Sequence, residues 1–228
     1  MPQPLLAIDS VGAACSAAVW RDGALAASRL EAMSRGQSER ILPLVEAAMR
    51  AAAQDYAGLA AIAVTTGPGG FTGARIGLAA ARGLALACGV PAIGVGSFLA
   101  QAAATLEEER QGRRLWVALD SRRAEIYLQA FSASLDPEGE PLVCLPEDIP
   151  AALGGGAVLL CGDAAARAAA AAARACDLLV SAAPAQAQAA VVARLVAGWP
   201  LPAPDAAPPR PVYLRPPDVT LPRGAGGG

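Results

Sequence analysis

The 228-residue chain contains no histidine. Serine–histidine and cysteine–histidine catalysis are thereby excluded, as are histidine metal sites. Lysine is absent too, since all 18 basic residues are arginine, so a Walker phosphate loop, which needs G-x4-G-K-[ST], cannot be built. That imbalance, with the abundance of alanine, reads as a GC-rich coding bias rather than a function. No CxxC spacing links the five cysteines, Cys15, Cys88, Cys144, Cys161 and Cys176. They lie in apolar segments and read as reduced, buried thiols rather than disulfides or a zinc site. No uncharged, strongly apolar window reaches the roughly 18 residues of a spanning helix. The opening MPQPLLAIDS lacks the basic lead-in of a signal peptide. A net charge of −2 argues against a dedicated nucleic-acid binder. The expectation is a soluble, cytoplasmic protein with no membrane partner.

What is present is an alternation of apolar strands and alanine-rich helices. LLAIDSV (5–11) and CSAAVW (15–20) read as buried strands, and Asp22-Gly23 is a hairpin signal because both positions tolerate positive φ. ALAASRLEAM supplies a third strand of the meander. From Ser38 the spacing of Ile41, Leu44, Val45, Ala48 and Met49 turns helical, with Pro43 either in the first turns or kinking the helix. LAAIAVTT (59–66) is a further strand and FTGARIGLAAARGLALAC a helix stopped by Gly89 and Pro91. PAIGVGS and FLAQAAATLEEER follow as strand and helix. Glu107 to Glu109 read as a solvated helix end, with Arg110, Arg113 and Arg114 as counter-charges.

LAIDS (6–10) is echoed by VALDS (117–121). After Asp120, EIYLQAFSA reads as a second strand, DPEG as a turn, EPLVCL as a third strand, and AVLLCGD (157–163) as a strand entering another helix. The repeated order implies two duplicated α/β halves. Beyond Pro200 the chain is proline-rich; PVYLRP (211–216) reads as an extended docking segment and the final GAGGG as disordered.

GPGGFTGARIG (67–77) raises the question of a phosphate loop. The dinucleotide pattern G-x-G-x-x-G fails because Thr72 stands at the third glycine position, though amides at the helix start could hold an anion. At about 100° per residue, Gly73, Gly77, Ala80 and Ala81 share a stripe that Leu84 extends, with Arg75 and Arg82 opposite. A mid-helix glycine costs about 1 kcal/mol relative to alanine, so the stripe needs a reason. Close approach of the chain's own sheet and close approach of another chain are equally compatible with the periodicity.

GPGGFTGARIGLAAARGLA, with SERILPLVE upstream and YLRP near the end, resembles the TsaB (YeaZ) family. The resemblance runs over nearly the whole chain and is strongest over 34–97. Where the family often carries histidine before Ser-Glu, this chain has Gln37. The resemblance implies an actin-like ATPase fold (ASKHA, the sugar kinase and Hsp70 superfamily) of α/β class. Its two duplicated ribonuclease H-like subdomains would be 1–108, carrying the partner-binding helices, and 109–228, with an extended tail.

It also implies a non-catalytic subunit. Its partner would be a metal-dependent, TsaD-like paralogue that makes threonylcarbamoyladenosine on transfer RNA. A TsaE-like ATPase would join the assembled complex, the chain alone would form a homodimer, and transfer RNA would be reached only through the complex. The resemblance places the interface on Ser38, Glu39, Leu42, Gly69, Phe71, Thr72, Gly73, Arg75, Ile76, Gly77, Ala80 and Ala81, so the stripe is expected to face another protein. No catalytic residue, metal or intrinsic cofactor is implied, with ATP or ADP at the junction with the partner.

Superfamily ATPases place an aspartate like Asp9 near metal and phosphates, which makes Asp9 and Gly12 nucleotide-site candidates. The turn SVGAACS has Gly12 as its one glycine, however, and by residue type Asp9 reads as a turn aspartate capping local amides. Asp120 reads the same way. The competing function is a stand-alone ATPase or small-molecule kinase of the same fold. With no histidine to hold a metal, a metallopeptidase is strongly disfavoured.

Overall fold

Strand β1 (Leu5–Asp9) is apolar at every position but its last, because both of its faces are covered. Leu6 and Ile8 enter one core cluster, while Leu5 and Ala7 enter another on the opposite face. This two-sided burial turns the usual alternation of a strand into a continuous apolar run. The computed structural model describes residues 3–173 and 175–215. β1 pairs antiparallel with β2 (Ala14–Arg21), which pairs antiparallel with β3 (Ala24–Ala32). At the hairpin Asp22 and Gly23 take φ of 54° and 79°, the left-handed pair that a two-residue turn requires. Helix α1 (Gln37–Ala51) then leads to β4 (Ala61–Thr65), α2 (Phe71–Cys88) and β5 (Ala92–Val95).

The same order recurs. β6 (Arg114–Asp120), β7 (Ile126–Phe131) and β8 (Pro137–Cys144) form the second meander. α5 (Ile149–Leu153), β9 (Ala157–Cys161), α6 (Ala165–Ala172) and β10 (Asp177–Val180) follow. The two sheets run β3-β2-β1-β4-β5 and β8-β7-β6-β9-β10. One is the image of the other, and this duplicated topology is the actin-like ATPase fold.

Packing does not follow chain order. α1 and α2 cover one face of the first sheet, but its other face is covered by α7 (Ala189–Val196), which follows the second sheet in the chain. Conversely α3 (Ser97–Ala102), which follows the first sheet, puts Phe98 and Ala102 against Leu115, Val117 and Leu159 of the second. Beyond α7 the chain returns along the first sheet. The Val212 amide donates to the Thr66 carbonyl at 2.9 Å, so the segment containing PVYLR docks in extended form. Residues 216–228, including the GAGGG expected to be disordered, lie outside the described residues.

Three local expectations are corrected. The turn after β7 is not DPEG but Ser132–Leu135: the Ser132 Oγ accepts from the amides of Ser134 and Asp136, and Leu135 takes φ of 69°. FLAQAAATLEEER is two helices, because the Thr105 hydroxyl bonds back to the Ala102 carbonyl and α4 (Glu107–Arg110) restarts with Glu109 accepting from the Leu106 amide. Glu109 also accepts from Ser181 and Ala182, while Arg113 pairs with Asp177 and Arg114 with Glu138. The acidic run and the arginines after it are therefore tied to other elements more than to each other.

Candidate functional site

The glycine-rich loop and α2 sit on the β1–β2 turn. The Ser10 hydroxyl donates to the Gly73 carbonyl at 2.8 Å and the Gly70 amide donates to the Val11 carbonyl at 3.0 Å. A Cβ on Gly73 would lie 2.0 Å from the Ser10 carbonyl oxygen, and one on Gly77 would lie 2.6 Å from the Ser10 Oγ. With Ala81 fully buried in the first core, Gly73 and Gly77 face the chain itself. The expectation that they present a flat stripe to another protein is therefore corrected. Helical periodicity establishes that these residues share a face; the 9–11 turn, folded over that face, fills it.

Gly69 is likewise against Val11. Ile76 and Ala80 are half-buried against the α1 side of the same core. Phe71 and Arg75 face the tail: Phe71 and Tyr213 rings lie 4.9 Å apart, the Arg75 guanidinium sits 3.7 Å over Phe71, and its Nε donates to the Tyr213 hydroxyl at 3.0 Å. Arg82 donates to the Pro209 carbonyl.

The exposed side of the helix pair is different. Ser38, Glu39 and Leu42 on α1 are exposed, as are Thr72, Ala79, Gly83 and Leu86 on α2. Leu86 is 86% exposed, and nothing lies within 4 Å of a Cβ placed on Gly83. Gly83 is the mid-helix glycine without an internal reason. The Gly73–Gly77 stripe passes it by, although its own helical angle, beside Thr72 and Ile76, marks it.

Between the two halves Asp9, Asp120 and Asp163 line a cleft of only about 30 Å³. The Gln186 side chain lies within 3.1 Å of a Cβ on Gly12, closing the cleft where that candidate stands. Asp9 is buried; the Thr65 hydroxyl donates to its Oδ2 and the Val11 amide to its Oδ1 at 3.3 Å. Burial pushes its carboxyl up to about 6, opposed by the Thr65 and Val11 hydrogen bonds, which favour the charged form. Asp120 repeats the turn, accepting from the Arg122 amide at 2.9 Å. It also receives Arg122 and Arg167 at 3.6 and 3.4 Å. Asp163 accepts from the Asp120 amide at 2.7 Å, and burial raises its pKa. Among the described residues no group of three or more Cys, Asp or Glu is placed to hold a metal ion. Cys15, Cys144 and Cys161 are buried free thiols, and Cys88 and Cys176 are half-buried free thiols. No helix among the described residues is long and apolar enough to cross a membrane.

Residues 31–150 match the family model "TsaD: tRNA N6-adenosine threonylcarbamoyltransferase". The chain is 38% identical over 123 residues to the tRNA threonylcarbamoyladenosine biosynthesis protein TsaB of Escherichia coli, an alignment covering 54% of this chain and 52% of that protein. It thus spans about half the length of that relative. It is 34% identical over 158 residues to an uncharacterized protein of Mycobacterium tuberculosis, covering 67% of this chain and 72% of that one. Superposition on YeaZ from Pseudomonas aeruginosa gives a TM-score of 0.72 at 26% identity, over 93% of this chain and all of that one (100%).

Proposed function

The chain belongs to the TsaB (YeaZ) family, and from that membership we propose that it serves transfer-RNA threonylcarbamoyladenosine biosynthesis as a non-catalytic subunit that supports a TsaD-like catalytic paralogue. The observation that carries this reading is the enclosure of Asp9 by its own turn and by Thr65. The space directly between Asp9, Asp120 and Asp163 is about 30 Å³, room for little more than a water molecule. A stand-alone ATPase or kinase would need Asp9 open to its metal and phosphates, so this alternative is not favoured.

The partner surface we assign is the outer side of α1 and α2: Ser38, Glu39 and Leu42 facing Thr72, Ala79 and Gly83, with Ile76 and Ala80 at its floor. Exposed apolar positions and an open glycine let a facing helix approach closely. The same surface serves a homodimer when the chain is alone. ATP or ADP, where it takes part, sits at the junction with the partner, and a TsaE-like ATPase completes the complex through which transfer RNA is engaged.

Co-purification with the TsaD-like paralogue of the same organism tests the reading. Wild-type chain should retain the paralogue and show no ATP turnover by itself. Leu42→Glu, at an exposed position, should lose it by more than 10-fold with unchanged melting, the scale of a charge left unpaired in an interface. Steady ATP turnover by the isolated chain, or full retention by Leu42→Glu, would overturn it.

A further inference from the structure

A second cavity, of about 350 Å³, opens where the tail crosses from the first half to the second, lined by Phe71, Tyr127, Tyr213, Arg122, Arg123 and Arg215. The chain has nine aromatic residues, three each of Trp, Tyr and Phe, in a molecule of net charge −2. Three of the nine meet three arginines here, and among the described residues no carboxylate lines the cavity. Phe71 and Tyr213 are each 37% exposed; Arg75 stacks on Phe71, so the ring offered to a ligand is that of Tyr213. Arg122 is held from behind by Asp120 at 3.6 Å and Arg215 by Glu125, which orients the guanidinium groups. The Arg122 backbone takes φ of 62°, a left-handed conformation that non-glycine residues adopt rarely and that clusters at ligand sites.

Aromatic faces flanked by guanidinium groups stack bases and hold phosphates, the combination that binds unpaired nucleic acid. We propose that this cavity receives an unpaired segment of RNA, one base stacking on Tyr213 and neighbouring phosphates on Arg122 and Arg123. The proposal rests on the transfer-RNA reading above and names where this chain would touch that substrate. A single platform explains why contact would be weak without a partner to supply further phosphate contacts.

Binding of fluorescent transfer RNA is measured by titration across a salt series, with the chain alone at low salt and with the chain joined to its TsaD-like paralogue. Arg122→Glu/Arg123→Glu should weaken binding by about 10-fold or more in both settings and flatten the salt dependence by roughly one to two counterions. Tyr213→Ala should weaken it by about 10-fold with the salt slope unchanged. A cooperative melt and the pull-down of the paralogue should be retained in both variants. Ultraviolet cross-links should map to Tyr213. Unchanged affinity and slope in both settings, or displacement of the cross-link by AMP without any loss of RNA affinity in the variants, would overturn the proposal. A paralogue that fails to co-purify would instead overturn the partner reading, leaving the measurement on the chain alone to decide the RNA site.

Discussion

Asp9 shows how a carboxylate at the end of a strand can be closed in by its own turn. It ends β1 beside the interdomain cleft, yet it is enclosed by its own turn and by Thr65. Its carboxyl titrates at about 6 instead of 3.8, so the folded state holds a proton that the unfolded state has already lost between those values. The stabilising contribution of that proton is complete below about 4 and is lost as pH rises through about 6. Asp9→Asn keeps an oxygen that can accept from Thr65 and Val11 and removes the charge. It should stabilise the protein by about 2–3 kcal/mol at pH 8, since each tenfold change in proton affinity is worth roughly 1.4 kcal/mol, with little effect near pH 4. Urea unfolding of both proteins at the two pH values checks this; parallel wild-type and variant profiles would return Asp9 to an ionised, solvated role. The turn-capping role of Asp9 was legible from its residue type, but its protonation was not, because the enclosing Thr65 lies 56 positions away.

At the scale of the element, α2 has an inner face and an outer face, and its glycines divide between them. Gly77 lies against the Ser10 hydroxyl, which is itself held by the Gly73 carbonyl and so cannot swing aside. Gly77→Leu should therefore cost about 1–3 kcal/mol or more through overpacking, seen as an early melt. Gly83→Leu meets open space and gains helix propensity of up to about 1 kcal/mol. It should melt no earlier than wild type yet lose the paralogue in a pull-down. If Gly77→Leu melted normally, or Gly83→Leu still bound, the division of faces would be wrong. The strand–helix order, the Asp22-Gly23 hairpin and the doubled meander were legible because period and turn chemistry are local. Which neighbour faces the Gly73–Gly77 stripe was not, since that neighbour is a turn more than 60 residues earlier. β10 and α7 were illegible for another reason: they are short, of four and eight residues, and alanine dilutes the period of the segment around them.

For the whole molecule the exchanged helices decide what can stand alone. Val192 and Val196 of α7 are fully buried against β1 and β4, and the tail adds Pro209 against Gly94. A fragment of residues 1–108 keeps its five strands but loses that cover, exposing Leu5, Ala7, Ile93 and Val95. It should bind a hydrophobic dye, lack a cooperative melt and aggregate, as an uncovered apolar face does. A sharp melt of the fragment would show that its sheet needs no cover.

The placement of that cover has a consequence for the nascent chain. A ribosome finishes β5 long before α7 and Val212 exist, and at some 5–20 residues per second the roughly one hundred residues between them take about 5–20 s. Through that interval the first sheet has one bare face, and the Thr66 carbonyl just past the end of β4 lacks the Val212 amide that later meets it. Vectorial folding, in which the leading half settles before the trailing half emerges, is closed to this chain. Its first-made half is sealed by the last helix of the described residues, so shielding by chaperones during translation matters most for the half that is synthesised first.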